Sequence, residues 1–187
     1  MWGSAGTDFP LEHQEPARAA CLRSSDRGNA MRPQRPREDI EAWLRANGWY
    51  PGRENEADAE RLIAVRVRGS ASQGCPLLPW DQVHRFVSSY VGLEFPMPRA
   101  PERKFRADPT FGYEGDAGLV VELARNLGRR LFPVGWETTE NGIVLLDDTG
   151  RFFYLHHTGP YFLGHDEIQA LSSLMTGDQE DAEGHFV

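Results

Sequence analysis

From Leu93 onward the apolar residues stop recurring at helical spacing. They gather into short runs between turn formers: "LEFPM", "RKFRADP", "RRLFPVG", "GIVLLDD" and "RFFYLHH". Runs of this length, bounded by Gly, Pro and Asp, predict strands, and their close succession predicts antiparallel pairing. In "DDTG" at 147–150, Asp147 is expected to close one strand and Asp148 to favour a tight turn, which Gly150 leads into the next strand. One helix interrupts the series, over 116–127, where Leu119, Val120, Leu123 and Leu127 are expected to share an inward face.

The N-terminal part reads differently. Over 36–47, Pro36 suits a first helical turn, acids follow, and Ile40, Trp43 and Leu44 keep core-facing spacing. The helix stops at "GWYPGR" (48–53), where Gly48 lies just past its end, Trp49 is placed to pack beneath it, and Pro51 and Gly52 form a turn. Arg53 then pairs with a carboxylate such as Asp108 or Asp147, or presents its fork to a partner. A second helix, suggested by Ala57, Leu62, Ile63 and Val65, is expected to end near Gly69, although alternation over 65–68 also fits a strand. Residues 69–79 read as a loop. Trp80–Val91 carries Val83, Phe86, Val87 and Tyr90 at helical spacing and is closed by Gly92. The last helix, over 165–175, points Ile168, Leu171, Leu174 and Met175 inward and stops at Gly177. Helices at the N-terminal end followed by a sheet with inserted helices give a single α+β domain, mostly antiparallel, over 36–177.

Residues 1–35 lack apolar periodicity and read as a disordered leader, with Met31 an alternative start, and 178–187 as an acidic tail. At 187 residues and 40% hydrophobic content, the chain suits one sizeable core. The net charge of −8 is unevenly spread: the tail carries four acids and no base, while Met31–Gly177 has 20 acids against 17 bases. Long-range attraction of a cationic partner is therefore expected to rest largely on the tail. No export signal or membrane-length apolar run is evident. Cys21 and Cys75 are too few for a disulfide framework, so a reducing cytoplasm is the expected compartment.

Motifs for chemistry are scarce. The chain has no G-x-S-x-G, P-loop or G-x-G-x-x-G, and neither cysteine sits in a catalytic context. "RKFRADP" is the only compact basic cluster with an aromatic, in an acidic chain, which disfavours nucleic-acid binding. His156 and His157, adjacent on a strand, are expected on opposite faces. One of them with His165 and Asp166 forms the only conceivable metal site, of low specificity, so neither metal nor other cofactor is expected.

The ordered set "GWYPGR", "FVSSYVGLEF" (86–95), "FRADP" (105–109), "LFPVG" (131–135), "LLDDTGRFFYL" (145–155) and "GHDEIQALSSLMTG" (164–177) resembles the SUKH superfamily, in particular its third group of bacterial immunity proteins. That group has Phe-Leu-x-x-Phe-Gly-Gly-Leu at its helix-to-strand passage. Here the positions hold Phe86, Val87, Tyr90, Val91, Gly92 and Leu93, so Val91 replaces a glycine and Gly92 must supply the stop. The resemblance implies a sheet backed by helices and a non-catalytic role: binding a cognate polymorphic toxin, often a nuclease or deaminase, inside the producing bacterium. Polar, Gly-bounded loops carrying acids beside aromatics are then the candidate contacts. These are Tyr113, Glu114 and Asp116 in "FGYEGD", and Trp136, Glu137 and Glu140 in "GWETTENG". Three other readings stay open: a regulatory adaptor, a metal-dependent hydrolase using the histidines above, and an immunity domain whose toxin is lost.

Overall fold

The computed structural model describes residues 34–187. Cys21, Met31 and nearly all of the expected leader lie outside the described residues. Within them the chain forms α1 (Arg37–Ala46), α2 (Glu56–Ser72), α3 (Asp81–Tyr90), β1 (Glu94–Met97), β2 (Ala100–Arg106), α4 (Asp116–Leu127), β3 (Leu131–Glu137), β4 (Ile143–Asp147), β5 (Phe152–His156), β6 (Gly159–Gly164), α5 (Glu167–Thr176), β7 (Glu180–Asp181) and a closing 3-10 turn, Ala182–His185. The seven strands form one sheet in sequential order, each pairing antiparallel with the next. Five helices against an antiparallel sheet make the α+β class expected from the sequence.

All five residues of β4 are buried, so the middle of the sheet is covered on both faces. On one face an aromatic layer joins the N-terminal helices to the strands. Phe86 of α3 lies 5.1 Å from Phe152 and 6.4 Å from Phe105, and Phe95 lies 5.4 Å from Trp43 of α1. Phe153 meets Phe162 at 5.5 Å and the His185 ring at 6.2 Å. A bulge between Pro133 and Gly135 accommodates a proline inside an otherwise paired strand. Gly135 is obligatory there, because a Cβ would run into the Arg106 carbonyl and the Phe105 ring.

"GWYPGR" closes two turns in succession. Gly48, at φ +93°, ends α1 in a Schellman arrangement, with Gly48 N–H donating to Arg45 O (3.2 Å) and Trp49 N–H to Leu44 O (3.1 Å). Trp49 then stacks on Tyr90, centroids 6.1 Å apart. Tyr50-Pro51-Gly52-Arg53 follows as a hydrogen-bonded turn with Gly52 at φ +76°. Arg53 pairs with neither Asp108 nor Asp147. Its guanidinium donates to the carbonyls of Ser88 and Ser89 (2.8 Å) in the last turn of α3 and of Val91 (2.7 Å) just past its end. These are the carbonyls a helix leaves unpaired, and a cation there also meets the negative end of the helix dipole. Arg53→Ala is therefore expected to cost about 2 kcal/mol, read as a lower denaturation midpoint with an unchanged denaturant slope. Val91 substitutes for a glycine at no visible cost: its φ of −54° and ψ of 138° suit a β-branched residue, while Gly92 takes the positive φ of +80°.

Several local expectations need correction. α2 runs through Gly69 to Ser72, and its buried stripe is Ala59, Ile63, Arg66 and Ser70, with Ala57 and Val65 exposed. Two of those four positions are polar, which hides the stripe from a count of apolar residues. Asp147, fully buried, organises the 147–150 turn: its carboxylate accepts from Thr149 N–H, Arg151 N–H and Arg151 Nε. Asp148 instead pairs with Arg130. Gly150 carries a φ of +96°. Residues Gly159–Gly164, which are not among the strand runs read from the sequence, form β6. The acidic segment 178–187 joins the fold as β7 and the 3-10 turn, with Ala182 fully buried.

Candidate functional site

The 107–115 loop is held from two sides. Asp116, at the start of α4, is fully buried; its carboxylate accepts from Arg66 Nη1 at 2.7 Å and Gln73 Nε2 at 3.0 Å. Gln73 in turn accepts from Ala117 N–H at 3.1 Å. Gly112 passes over this pair at a distance no Cβ would permit. On the other side Phe111 stacks flat on Trp136, centroids 4.0 Å apart and planes 4° from parallel. The two loops singled out in the sequence are thus neighbours. Tyr113 and Glu114 remain outward, with Tyr113 44% exposed. Partial burial, and secondarily the Asp116 charge, raise the Tyr113 phenol above its ordinary value, so it stays a hydroxyl donor.

Two of the expected partner acids do not face solvent. Asp116 belongs to the buried pair above. Glu137 is also fully buried: its carboxylate accepts from Thr139 N–H (3.0 Å) and Glu140 N–H (2.8 Å) and sits 3.4 Å from Arg103 Nε, close enough for charge attraction without hydrogen-bond alignment. Both acids are internal clamps that shape the loops. Trp136 is half-buried. Glu140 is exposed, 4.0 Å from His156 Nε2. The phenol of Tyr154, beneath Gly142, is raised by burial and then by Glu137 and Glu140, so this corner carries no phenolate.

Beside Tyr113 a groove of about 370 Å³ runs between α4, the β5–β6 turn and the C-terminal 3-10 turn. Leu123, Leu155 and Pro160 line it, and Tyr113, Leu119 (43% exposed) and Phe186 (36% exposed) stand around it. Leu119 was expected inward with Val120 and Leu123, yet it lies on the flank of that stripe and faces outward. Glu122 and Glu183 supply the groove's formal charge, and no described lysine or arginine lines it. His156 and His157 form its end. Their rings pack against each other 3.8 Å apart rather than pointing to opposite faces, because the strand ends at His156 and His157 belongs to the turn. The histidines are too dispersed for a shared metal: His165 lies by Phe162 and His185, and with Asp166 it borders a separate cleft beside α3. Among the described residues no group of three or more His, Cys, Asp or Glu is arranged to hold a metal ion. The groove has the makeup of a protein contact: exposed apolar side chains, an acidic rim and fixed loops.

Sequence reasoning missed Leu119, Glu122, Glu183 and Phe186. Only the first carries a usable signal, as an apolar residue at the margin of a helical stripe. No helix of the described residues is long and apolar enough to cross a membrane. No curated protein and no solved structure matches the chain. Residues 36–177, spanning α1 to the end of α5, match the SUKH-3 immunity protein family, and the chain belongs to that family.

Proposed function

We propose that this immunity protein binds a cognate polymorphic toxin domain of the nuclease or deaminase type in the cytoplasm of the producing bacterium. It acts by stoichiometric occlusion, without catalysis. The groove bounded by Tyr113, Leu119 and Phe186 is the contact surface, extended by Glu114 and Glu140. The observation that carries this reading is convergence: three of the large apolar side chains that are exposed surround one groove whose formal charge is entirely acidic. A toxin that acts on nucleic acid needs a cationic substrate surface, and an apolar groove with an acidic rim complements such a surface. Asp116 and Glu137 act indirectly, by fixing the loops that bear Tyr113 and Glu140.

The test is co-expression with the protein encoded beside this chain, scored by growth, together with capture of its purified C-terminal domain. The double variant Leu119→Arg, Phe186→Arg is expected to weaken capture by about thirtyfold or more, as for a central interface anchor, and to abolish rescue while keeping the wild-type melting temperature. Full rescue and undiminished capture by that variant would place the contact elsewhere. Failure of the wild-type chain to bind any toxin domain would remove the function itself.

A further inference from the structure

A second groove, of about 620 Å³, opens on the opposite side of α4 near its C-terminal end, and its lining, three arginines against Asp148, is net basic. Leu77, Leu131 and Leu78 line it, and Leu78 is 66% exposed. Arg125, Arg129 and Arg130 also line it, all three exposed. Arg125 sits in the last turn of α4. Gly128, at φ +60°, then reverses the chain, with Arg129 N–H donating to Ala124 O at 3.0 Å, and Arg130 accepts from Asp148 N–H as β3 begins. The three cations are therefore mounted on a helix end and a strand start rather than on a free loop. Arg130 is engaged, 3.3 Å from Asp148 and 5.0 Å from the centre of the Trp80 ring. Arg125 and Arg129 make no ion pair among the described residues.

We infer that this groove docks an acidic, leucine-bearing polypeptide segment, at a surface separate from the toxin groove. Charge complementarity selects the occupant. Two unspent guanidinium groups beside a leucine floor suit alternating carboxylate and aliphatic side chains, the guanidinium forks taking carboxylates pairwise. A nucleic acid fits less well. The aromatic face nearest the groove, Trp80, is already covered by Arg130 and offers no stacking platform, and the net charge of −8 opposes a polyphosphate. A small anion would leave the leucines wet, including the most exposed of them, Leu78.

The probe is a fluorescein-labelled peptide alternating glutamate and leucine, followed by anisotropy on the full chain. A lysine–leucine peptide and a single-stranded oligothymidine of similar length serve as comparisons. The acidic peptide is expected to bind and to weaken as salt is raised. The Arg125→Glu, Arg129→Glu double variant should lose about tenfold or more in affinity with no change in melting temperature. Leu78→Ser should weaken binding without altering the salt dependence, which separates the apolar floor from the charges. The Leu119→Arg, Phe186→Arg variant should bind the acidic peptide as the wild type does, so loss of this site and loss of the toxin site are told apart. Equal binding by the charge-reversed and wild-type chains would overturn the inference. So would tighter binding of oligothymidine that the same charge reversal abolishes, since the site would then serve nucleic acid.

Discussion

Arg66→Met should destabilise the protein by about 3 to 5 kcal/mol, because it leaves Asp116 fully buried without its cation. The pair is among the most enclosed charges described, with Arg66 and Asp116 side chains 5% and 0% exposed and 2.7 Å apart, so solvent has little opportunity to screen or replace the lost partner. The methionine fills much of the aliphatic space of the arginine stem, so the loss reports on charge more than on a cavity. For a chain of this size the melting temperature should fall by roughly 10 °C. Adding Asp116→Asn removes the stranded charge while keeping an acceptor for Gln73, and the double variant should recover most of the loss. A double-mutant cycle in guanidinium chloride measures that coupling directly. An Arg66→Met protein as stable as the wild type would show that the pair gives back no more than its desolvation costs. The Tyr113 loop should register the change too, since Gly112 lies directly against this pair.

The same pair shows where sequence reading stops. α3 and α4 were legible because their apolar residues recur with the helical period, and β1 to β5 because turn formers bracket each run. α2 was legible as a helix but not in its orientation, since its buried stripe includes Arg66 and Ser70. Arg66 can be inward only because Asp116 waits fifty residues away, and Ser70 only because its hydroxyl donates to Val67 O and accepts from Leu77 N–H. Neither Asp116 nor Leu77, both beyond the helix, is implied by the spacing within α2. β6 was hidden by Gly159 and Pro160, which a strand tolerates at its start near an edge. β7 was hidden by its acids, which an edge position leaves in water. At the candidate site the two loops were findable as Gly-bounded stretches of acids and aromatics. What composition cannot state is which acids face outward: in "FGYEGD" Glu114 is exposed and Asp116 buried, and in "GWETTENG" Glu140 is exposed and Glu137 buried. That division depends on Arg66 and Arg103, both supplied by other elements.

Glu137→Ala should cost about 3 kcal/mol, through two charge-assisted hydrogen bonds lost together. The carboxylate satisfies the N–H groups of Thr139 and Glu140 from inside the turn, and neither N–H has a second acceptor among the described residues. The substitution also strands Arg103, whose remaining carboxylate neighbour, Glu140, is 3.9 Å away and exposed. The turn must then open toward solvent to hydrate those N–H groups, and it carries Glu140 with it. Asn141, held at φ +57°, has few other conformations that still close the turn onto Gly142. Glu137→Gln separates the two contributions. It keeps one oxygen acceptor and the shape but loses the charge, so it should fall between wild type and Glu137→Ala in denaturant midpoint. If Glu137 itself touched the toxin, Gln and Ala would both weaken capture in proportion to the lost charge, regardless of stability. If it acts as a clamp, capture measured well below the melting transition should follow the order of turn protection seen by amide exchange at Thr139 and Glu140. A loss of capture in Glu137→Gln with fully protected amides would move Glu137 from the clamp to the contact surface.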